Sequence, residues 1–473
     1  MAEIHVRALA LEPDQTSIEV MGRAVLERIA DFIDGLSQAP AGRNDDTEQI
    51  VARMLRPPPE EAGDLTALLD TFQDAAERSL DTAGPGYLAY FPAGGLVGSA
   101  LAELLAQTYN RFTAVAELAP ALVAMEHGIL RWLCGQFGLP SSAAGLVTTG
   151  GSMATLAGLV AARHDRLGED IAGGTLYVTE HTHHCVAKAA RIAGLPASSV
   201  RTVPARGLRM DPDAAARLIA VDRANGLRPF LLVGTAGTTS TGTIDPLAEL
   251  GELARRENIW FHVDAAYGGG FRLTARGRDR LRGIERADSV VFDPHKSLFL
   301  PYGTGVLLVR DTGPLRAAHS GRGDYLQDLT GVAGLPDYGH LGPELTREFR
   351  GLRLWLPLHL HGAAAFRDAL DEKLDLAALA YRELTADPLL EVPWEPDLTV
   401  VVFRLRADDD ANRRLLDRIN RTGRFFLSST RVDERFYLRL NATSHRTHES
   451  HLRDALDHIR RCAGDEATTR PRT

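Results

Sequence analysis

Between residues 145 and 309 the chain alternates short apolar runs with segments in which apolar residues recur every three or four positions. Runs of about four to eight apolar residues are typical of buried strands, and the recurring pattern is typical of amphipathic helices. Strands that alternate with helices predict an α/β fold with a mostly parallel sheet covered on both faces. The predicted strands lie at residues 146–147, 175–179, 200–203, 230–234, 259–264, 289–292 and 305–309.

The regions on either side are predicted to be mainly helical. Apolar residues at helical spacing predict an amphipathic helix over 17–35 that needs a partner surface, a second helix over 64–80 and a helical region from 99 to 137. Near the C-terminus the same criteria predict helices over 345–374 and 449–462, with strands at 398–405, 425–428 and 436–440.

These patterns divide the chain into an N-terminal helical segment (1–92), a large α/β domain (93–344) and a small α+β C-terminal domain (345–473). Residues 320–340 are rich in glycine and poor in large apolar side chains. Such a stretch is typical of a long mobile loop of the kind that covers active sites. A disordered surface excursion is the alternative.

The bulk properties exclude several classes of protein. With 473 residues, a formal net charge of −9 and a pI near 6.0, the chain lacks the basic character of proteins that bind nucleic acid or anionic membranes. Cys134, Cys185 and Cys462 are too scattered for a disulfide framework or a Cys-rich zinc site, and they suit a reducing cytosol. The sequence shows no signal peptide and no membrane-spanning apolar run. We therefore expect a cytoplasmic protein.

The first candidate for chemistry is the segment TTGGSMAT at residues 148–155, between a predicted strand and a predicted helix. Glycines let the backbone approach an anion, and a helix N-terminus offers free N–H groups and a favourable dipole. The segment is neither a Walker loop nor a full GxGxxG fingerprint. A phosphate site and a plain tight turn are both compatible with it.

The second candidate is EHTHHC at residues 180–185, which holds three histidines and a cysteine. Neighbouring side chains diverge, and zinc sites usually combine spaced pairs with distant ligands, so the pattern argues against a metal. Stacking on a flat ligand requires only one imidazole.

The third and fourth candidates are Asp264 and Lys296, which follow two predicted strands. A carboxylate at the edge of a sheet requires a cation, for which a protonated pyridine nitrogen is suitable; a turn-capping aspartate is the alternative. Burial or a nearby cation lowers the pKa of a lysine and frees its amine to form Schiff bases. An ordinary surface lysine is the alternative.

Together the four segments contain what pyridoxal 5′-phosphate requires: a phosphate cradle, a stacking imidazole, a carboxylate for the ring nitrogen and a lysine. The motifs are YLAYFPAGG, TTGGSMATL, HTHHCVAKA, GTAGTTSTGTID, WFHVDAAYGG and DPHKSL. From about residue 17 to about residue 460 the chain resembles the group II pyridoxal-phosphate-dependent decarboxylases of aromatic amino acids, histidine and glutamate. The resemblance implies fold type I, like that of aspartate aminotransferase. It also implies a homodimer that is clasped by the N-terminal helices and has active sites at the interface.

The resemblance implies a role for each position around the cofactor. Lys296 resembles the Schiff-base lysine, Asp264 the partner of the pyridine nitrogen, and His183 the stacking imidazole. The other implied cofactor contacts are Ala266 against the second face of the ring, Gly151 and Ser152 at the phosphate, Asp293 and His295 beside them, and Thr238 in the cavity wall.

The resemblance further implies that an L-amino acid is decarboxylated to an amine and CO2. Tyr325, in the 320–340 loop, aligns with the family's tyrosine that protonates Cα after CO2 has left, and Tyr338 is a second candidate of lower weight. A phenylalanine at the first position marks relatives that convert amino acids oxidatively into aldehydes. Tyr325 therefore favours simple decarboxylation.

The substrate pocket is predicted from the same resemblance. Tyr90, Phe91 and Pro92 would form one wall, and Phe112 would come from the partner subunit. Small side chains at residues 93 and 114 would leave room for a bulky or aromatic substrate.

An arginine near the last helix holds a carboxylate in some members of the family. Arg446 resembles it, although His445 occupies that column without a gap. A surface arginine is the alternative.

Two other readings remain. The first is another enzyme on the same scaffold, an oxidative aldehyde synthase or a different pyridoxal-dependent lyase. The second is a non-catalytic binding protein, against which the presence of Lys296, Asp264, His183 and Tyr325 argues.

Overall fold

The computed structural model describes residues 11–42, 47–321 and 331–468 of the chain. Its strands are β1 (Ala144–Thr148), β2 (Gly174–Val178), β3 (Val200–Thr202), β4 (Ala205–Arg206), β5 (Arg209–Met210), β6 (Arg228–Thr235), β7 (Trp260–Asp264), β8 (Ser289–Phe292), β9 (Gly305–Val309), β10 (Leu390–Glu391), β11 (Val400–Leu405), β12 (Ser428–Val432) and β13 (Arg435–Asn441).

The α-helices flank these strands on both sides along the chain. They are α1 (Gln15–Gly35), α2 (Thr47–Met54), α3 (Leu65–Glu77), α4 (Val97–Tyr109), α5 (Pro120–Gln136), α6 (Gly151–Leu167), α7 (Cys185–Ile192), α8 (Pro212–Ala224), α9 (Leu247–Arg256), α10 (Ala275–Arg280), α11 (Pro294–Ser297), α12 (Thr312–His319), α13 (Gly351–Thr385), α14 (Asp409–Arg421) and α15 (Glu449–Thr468).

A seven-stranded sheet forms the centre of the molecule, in the order β1-β9-β8-β7-β6-β2-β3. The pairs from β8 through β7, β6 and β2 to β3 are parallel, which confirms the predicted α/β fold with a mostly parallel sheet. Strand β9 runs antiparallel to both β8 and β1. The segment between β8 and β9 holds only the one-turn helix α11, so β9 starts at the edge where β8 ends.

A smaller sheet, in the order β10-β11-β13-β12, is packed against α13, α14 and α15, and this arrangement confirms the predicted α+β unit near the C-terminus. The strand predicted at 425–428 is wrong, because β12 begins at Ser428. The apolar run that predicted this strand makes its backbone hydrogen bonds with a segment outside the small sheet. Phe426 exchanges backbone hydrogen bonds with Gly86 (3.0 Å) and Leu88 (2.9 Å), which ties the small sheet to the segment before α4.

The predicted helices at 17–35 and 64–80 correspond to α1 and α3, and their first turns explain where they begin. Asp14 and Asp64 each accept a hydrogen bond from a backbone N–H three residues later, as N-cap residues do. Helix α2 was not predicted from the sequence. No described helix has the combination of length and apolar composition needed to cross a membrane.

Candidate active site

Lys296 lies in α11, immediately after the carboxyl end of β8. Its Nζ is 3.0 Å from Oδ2 of Asp293, and its Nζ is 5.5 Å from the centroid of the Phe91 ring. Burial disfavours the ammonium, but the carboxylates of Asp293 and Asp264 outweigh it and raise the pKa of Lys296. Two carboxylates, and not another cation, face the amine, so its pKa is not lowered as burial alone would lower it.

The phosphate cradle predicted at residues 148–155 is a tight turn between β1 and the first turn of α6. Gly150 has a φ of 155°, and no side chain caps the N-terminus of α6. A Cβ at Gly151 would lie 2.8 Å from Oδ2 of Asp293, so only glycine fits there without displacing that carboxylate. The N–H groups of Gly151 and Ser152, in the first turn of this 17-residue helix, are thus available to an anion, whereas that of Met153 donates to the carbonyl of Gly150 (3.0 Å).

His183 lines the same cavity, whereas the neighbouring His184 does not. The backbone N–H of Cys185 donates to Nδ1 of His183 (3.3 Å), so that nitrogen acts as an acceptor. Burial lowers the pKa of His183 against the opposing effect of Asp264, which favours a neutral ring suited to stacking. Among the described residues no group of His, Cys, Asp and Glu side chains could hold a metal ion.

Asp264 closes β7 at the carboxyl edge of the sheet and is buried. The backbone N–H of Ala266 donates to Oδ1 of Asp264 (3.1 Å) and fixes the position of that oxygen. Asp264 also lines the cavity. His295, whose Nε2 lies 3.7 Å from Oδ2 of Asp293, donates from Nδ1 to the carbonyl of Thr304 (2.6 Å).

These side chains surround one cavity of about 290 Å³. The predicted cofactor-binding residues that line it are Gly151, Ser152, His183, Asp264, Ala266, Asp293, His295 and Lys296. Thr238 does not line it. Its hydroxyl instead bonds that of Thr241 (2.9 Å) and accepts from the N–H of Thr243 (3.1 Å), while the adjacent residues Gly237 and Thr239 reach the cavity.

The structure places some of the predicted substrate-binding residues at the cavity and others away from it. Phe91 lines the cavity, and its ring packs on Tyr267 with centroids 4.4 Å apart. Tyr90 and Pro92 do not line it; Tyr90 is 56% exposed with a φ of 47°. Phe112 is half-buried outside this chain's cavity, and its predicted place in a partner's site stays a prediction.

Arg446 is not available in the way the sequence suggested. Its guanidinium donates to the carbonyl oxygens of Ala83 (3.2 Å), Gly94 and Gly95 (3.4 Å), so it fastens the loop before α4 to the segment between β13 and α15. His445 does not line the cavity either, and burial lowers its pKa to about 3. Tyr325 lies outside the described residues.

The second tyrosine candidate, Tyr338, is fully buried away from the cavity lining. The guanidinium carbon of Arg347 lies 4.6 Å from the centroid of its ring, and burial raises the pKa of Tyr338 well above its usual value. The ring of Tyr338 therefore packs on a buried guanidinium outside the cavity.

Two residues near the site were missed by the sequence reasoning. Tyr267 lines the cavity, and its hydroxyl is held by Thr399. Arg439 is only 2% exposed on β13, and no carboxylate among the described residues pairs with it. A lone arginine inside the apolar run FYLRL is a signal that could have revealed it, because buried arginines are rare unless paired.

The guanidinium carbon of Arg439 lies 5.6 Å from the centroid of the Phe91 ring, and Arg439 does not itself line the cavity. Its Nε donates to the carbonyl of Ser240 (2.9 Å) and its Nη1 to Oγ of Ser428 (2.9 Å), whereas its Nη2 has no hydrogen-bond partner in the described part of the chain. Burial lowers the pKa of Arg439 to about 10, which still leaves it charged at neutral pH.

A mostly parallel α/β sheet with a lysine, an aspartate and an uncapped helix N-terminus at its carboxyl edge defines a fold type I pyridoxal-phosphate enzyme. The chain matches the pyridoxal-dependent decarboxylase conserved domain over residues 56–406. It therefore belongs to this family, with pyridoxal phosphate as cofactor, and is a carboxy-lyase.

Three relatives are informative. The chain is 31% identical to an aromatic-L-amino-acid decarboxylase of Bacillus atrophaeus, over 95% of this chain and 96% of the relative. It is 30% identical to phenylacetaldehyde synthase of Arabidopsis thaliana, over 78% of this chain and 80% of that protein. The crystal structure of Oryza sativa TDC with PLP and tryptamine superposes with a TM-score of 0.91 at 27% identity, covering 96% of this chain and 99% of the other.

Proposed function

We propose that this protein decarboxylates an aromatic L-amino acid to the corresponding amine and CO2. The observation that carries the proposal is the convergence of Lys296, Asp264 and His183 on one cavity beside the free N-terminus of α6. When bound there, the cofactor supplies an electron sink for the bond that breaks when CO2 leaves.

The side chains around the cavity would hold the cofactor by complementary chemistry. Lys296 Nζ would bond its aldehyde carbon, and Asp264 would keep a proton on its ring nitrogen. The neutral ring of His183 would stack on one face while Ala266 packs against the other. The N–H groups of the first turn of α6, including those of Gly151 and Ser152, would receive the phosphate.

Arg439, in place of Arg446, is the proposed holder of the substrate carboxylate. Its guanidinium is charged and buried, and its Nη2 has no hydrogen-bond partner in the described part of the chain. Arg439 does not itself line the cavity, but its guanidinium carbon lies 5.6 Å from the centroid of the Phe91 ring, which does. Arg446 already donates to three backbone carbonyls and offers less to a ligand. A guanidinium suits this task because its planar fork matches a carboxylate.

Protonation of Cα is assigned to Tyr325 on the strength of the sequence motif alone. The alternative, Tyr338, is disfavoured by its burial against Arg347 outside the cavity lining. A tyrosine at position 325 favours amine over aldehyde as the product.

An aromatic substrate is supported by the cavity wall and by the relatives. The rings of Phe91 and Tyr267 stand side by side in the wall, where a substrate ring can pack against them. One relative is an aromatic-L-amino-acid decarboxylase, and one similar structure contains tryptamine.

A screen of the common amino acids tests the reaction and the substrate class together. The purified protein is incubated with pyridoxal phosphate and each amino acid, and CO2 and amine are quantified. We expect tryptophan, tyrosine or phenylalanine to give equal amounts of both products. The proposal fails if none of the aromatic amino acids releases CO2.

Oxidative conversion to an aldehyde is the second candidate, favoured by the similarity to phenylacetaldehyde synthase. The same reactions distinguish it, because an aldehyde synthase releases aldehyde, ammonia and peroxide in place of amine. Peroxide that is equimolar with CO2 would show that the protein is an aldehyde synthase and not a simple decarboxylase.

The proposal includes a homodimer, for which the exposed apolar surface of α1 is the support. Helix α1 has no buried residue, yet large apolar side chains make up much of its surface. Those at least 37% exposed are Ile18, Val20, Met21, Val25, Leu26, Ile29 and Phe32. A monomer rarely leaves so continuous an apolar face in water.

Sedimentation velocity tests the dimer. We expect the wild-type chain to sediment as a dimer, and I29D/F32D to dissociate because the two charges disrupt the apolar face. The matched control is Val221→Asp on α8, at an exposed apolar residue of the large domain. A wild-type chain that stays monomeric at every concentration contradicts the proposal.

The proposed function also includes a cytoplasmic location, which is supported by three free, buried cysteines.

A further inference from the structure

Asp293 occupies the space between the lysine and the phosphate cradle. Its Oδ2 lies 3.0 Å from Nζ of Lys296 and would be 2.8 Å from a Cβ at Gly151. Its Oδ1 has no hydrogen-bond partner in the described part of the chain, and the residue is only 2% exposed. A buried carboxylate with one free oxygen thus borders the place where a phosphate would sit.

The other groups that face Asp293 give it little positive charge. Nε2 of His295 is 3.7 Å away, but burial lowers the pKa of that imidazole and favours its neutral form. The ring of His183 is likewise favoured as neutral, and burial raises the pKa of the Cys185 thiol to about 12. Asp264 adds a second negative charge. Lys296 is therefore the cation that balances Asp293.

Cofactor binding changes the charges around Asp293 in two ways. Condensation of the lysine amine with an aldehyde requires the neutral amine, forms a C=N bond and releases one water, so the Lys296 ammonium has to give up a proton. At the same time a phosphate group arrives beside Gly151, next to Asp293. A carboxylate that loses its cation and gains an anionic neighbour in a buried site is strongly disfavoured.

We propose that Asp293 takes up a proton when the cofactor binds and faces the phosphate as a neutral carboxyl group. The proton that leaves the Lys296 ammonium moves to Oδ2 of Asp293, the neutral amine attacks the aldehyde carbon, and water carries away the aldehyde oxygen. The neutral carboxyl then donates a hydrogen bond to a phosphate oxygen. The inference rests on Lys296 as the attachment point, as proposed above, and concerns cofactor binding and not the reaction.

Cofactor affinity is the first measurement. The dissociation constants of pyridoxal phosphate from wild-type protein and from Asp293→Asn are determined by fluorescence titration between about pH 6 and pH 9. Because asparagine carries no charge, the variant binds more tightly at high pH. The ratio of the wild-type to the variant dissociation constant rises with pH, by up to about tenfold per unit, because the wild type keeps the lysine proton on Asp293 whereas the variant has to release it to the solvent.

Pyridoxal, which lacks the phosphate, is the control ligand for the effect of the phosphate charge. It removes the lysine cation but brings no anion to Gly151, so the ratio for pyridoxal rises less with pH than the ratio for pyridoxal phosphate does. Asp222→Asn, at a buried aspartate of α8 that accepts hydrogen bonds from Tyr177 and Arg201 and does not line the cavity, serves as the control variant and binds as the wild type does. A pH-independent ratio for pyridoxal phosphate overturns the inference.

Infrared difference spectroscopy tests the proton directly and requires no variant that might fold poorly. Cofactor-loaded minus cofactor-free wild-type protein, with ¹³C-labelled aspartate, should show the C=O stretch of a protonated carboxyl group. Its absence overturns the inference. If wild-type protein binds no pyridoxal phosphate at all, the assigned cofactor site itself is wrong, which is a separate failure.

Discussion

The guanidinium carbon of Arg439 lies 5.6 Å from the centroid of the Phe91 ring. Nζ of Lys296 lies 5.5 Å from the same centroid. Arg439 and Phe91 are 348 positions apart in the sequence, one on the small sheet and one in the segment before α4. Their contact places the buried positive charge of a residue on the small sheet against a side chain that lines the cavity.

Replacing Arg439 by methionine should weaken substrate use more than cofactor binding. Loss of a charge-assisted hydrogen bond to a carboxylate costs roughly 1.5–3 kcal/mol, so kcat/KM should fall about tenfold to a hundredfold. Steady-state kinetics and a pyridoxal phosphate titration measure the two effects. Arg446→Gln is the control and should lower the Tm while it changes kcat/KM by less than about threefold. Equal losses in both variants would contradict the assignment.

Lys296→Ala should abolish covalent attachment of the cofactor. Borohydride reduction of the wild-type protein with pyridoxal phosphate should add one pyridoxyl group to the peptide that contains residue 296, as read by mass spectrometry. The variant should give no such adduct and no CO2 release above background, because no other lysine lines the cavity among the described residues. Labelling of Lys188 or Lys373 in its place would disprove the assignment.

Tyr325→Phe should keep cofactor binding and lose amine formation. The phenyl ring cannot donate a proton to Cα, so the carbon that has lost CO2 remains open to oxidation. We expect the amine yield to fall at least about a hundredfold, within the range of general-acid contributions, with aldehyde as the replacement product. Tyr338→Phe is the control and should retain amine formation. Unchanged amine output from the first variant excludes the role of Tyr325.

The stability of the cofactor-free protein should fall as the pH drops from about 6.5 to about 4. Burial lowers the pKa of His262 to about 4, and its Nδ1 lies 2.7 Å from Oγ of Ser289. Because the unfolded chain binds a proton at higher pH than the folded chain does, stability is lost as the pH falls through this window. The loss is up to about 3 kcal/mol. Thermal unfolding of wild type and His262→Asn at several pH values measures it, with the exposed His184→Asn as control. Identical pH profiles for wild type and His262→Asn would refute this contribution.

Arg347→Met should destabilise the protein by about 3–5 kcal/mol. Arg347 and Glu126 form an ion pair at 2.7 Å in which each side chain is 1% exposed, so removal of one partner leaves an uncompensated buried charge. Adding Glu126→Gln should restore much of the loss. Urea unfolding of the single and double variants gives the coupling, and strictly additive effects would show that the pair does not act as a unit.

Local patterns in the chain were sufficient to locate most strands of the large sheet and the residues at their carboxyl ends. Strands β8 and β9 lie where the apolar runs predicted them, and Asp264 and Lys296 face one cavity. The antiparallel course of β9 could not be read from its own residues, because direction depends on the short connection through α11. The predicted strand at 425–428 failed for a related reason, since its apolar residues pair with residues 86–88, far away in sequence.

The sequence by itself determined the α/β class, the family resemblance, the cofactor and the lysine expected to hold it, because these depend on short motifs with their own local chemistry. Only the tertiary structure decided that Arg446 is tied to backbone carbonyls, while Nη2 of Arg439 has no hydrogen-bond partner among the residues that the structure describes. It alone also decided that Lys296 faces two carboxylates. The partners of a charged side chain come from distant parts of the chain, and its availability is therefore set by packing and not by the motif that contains it.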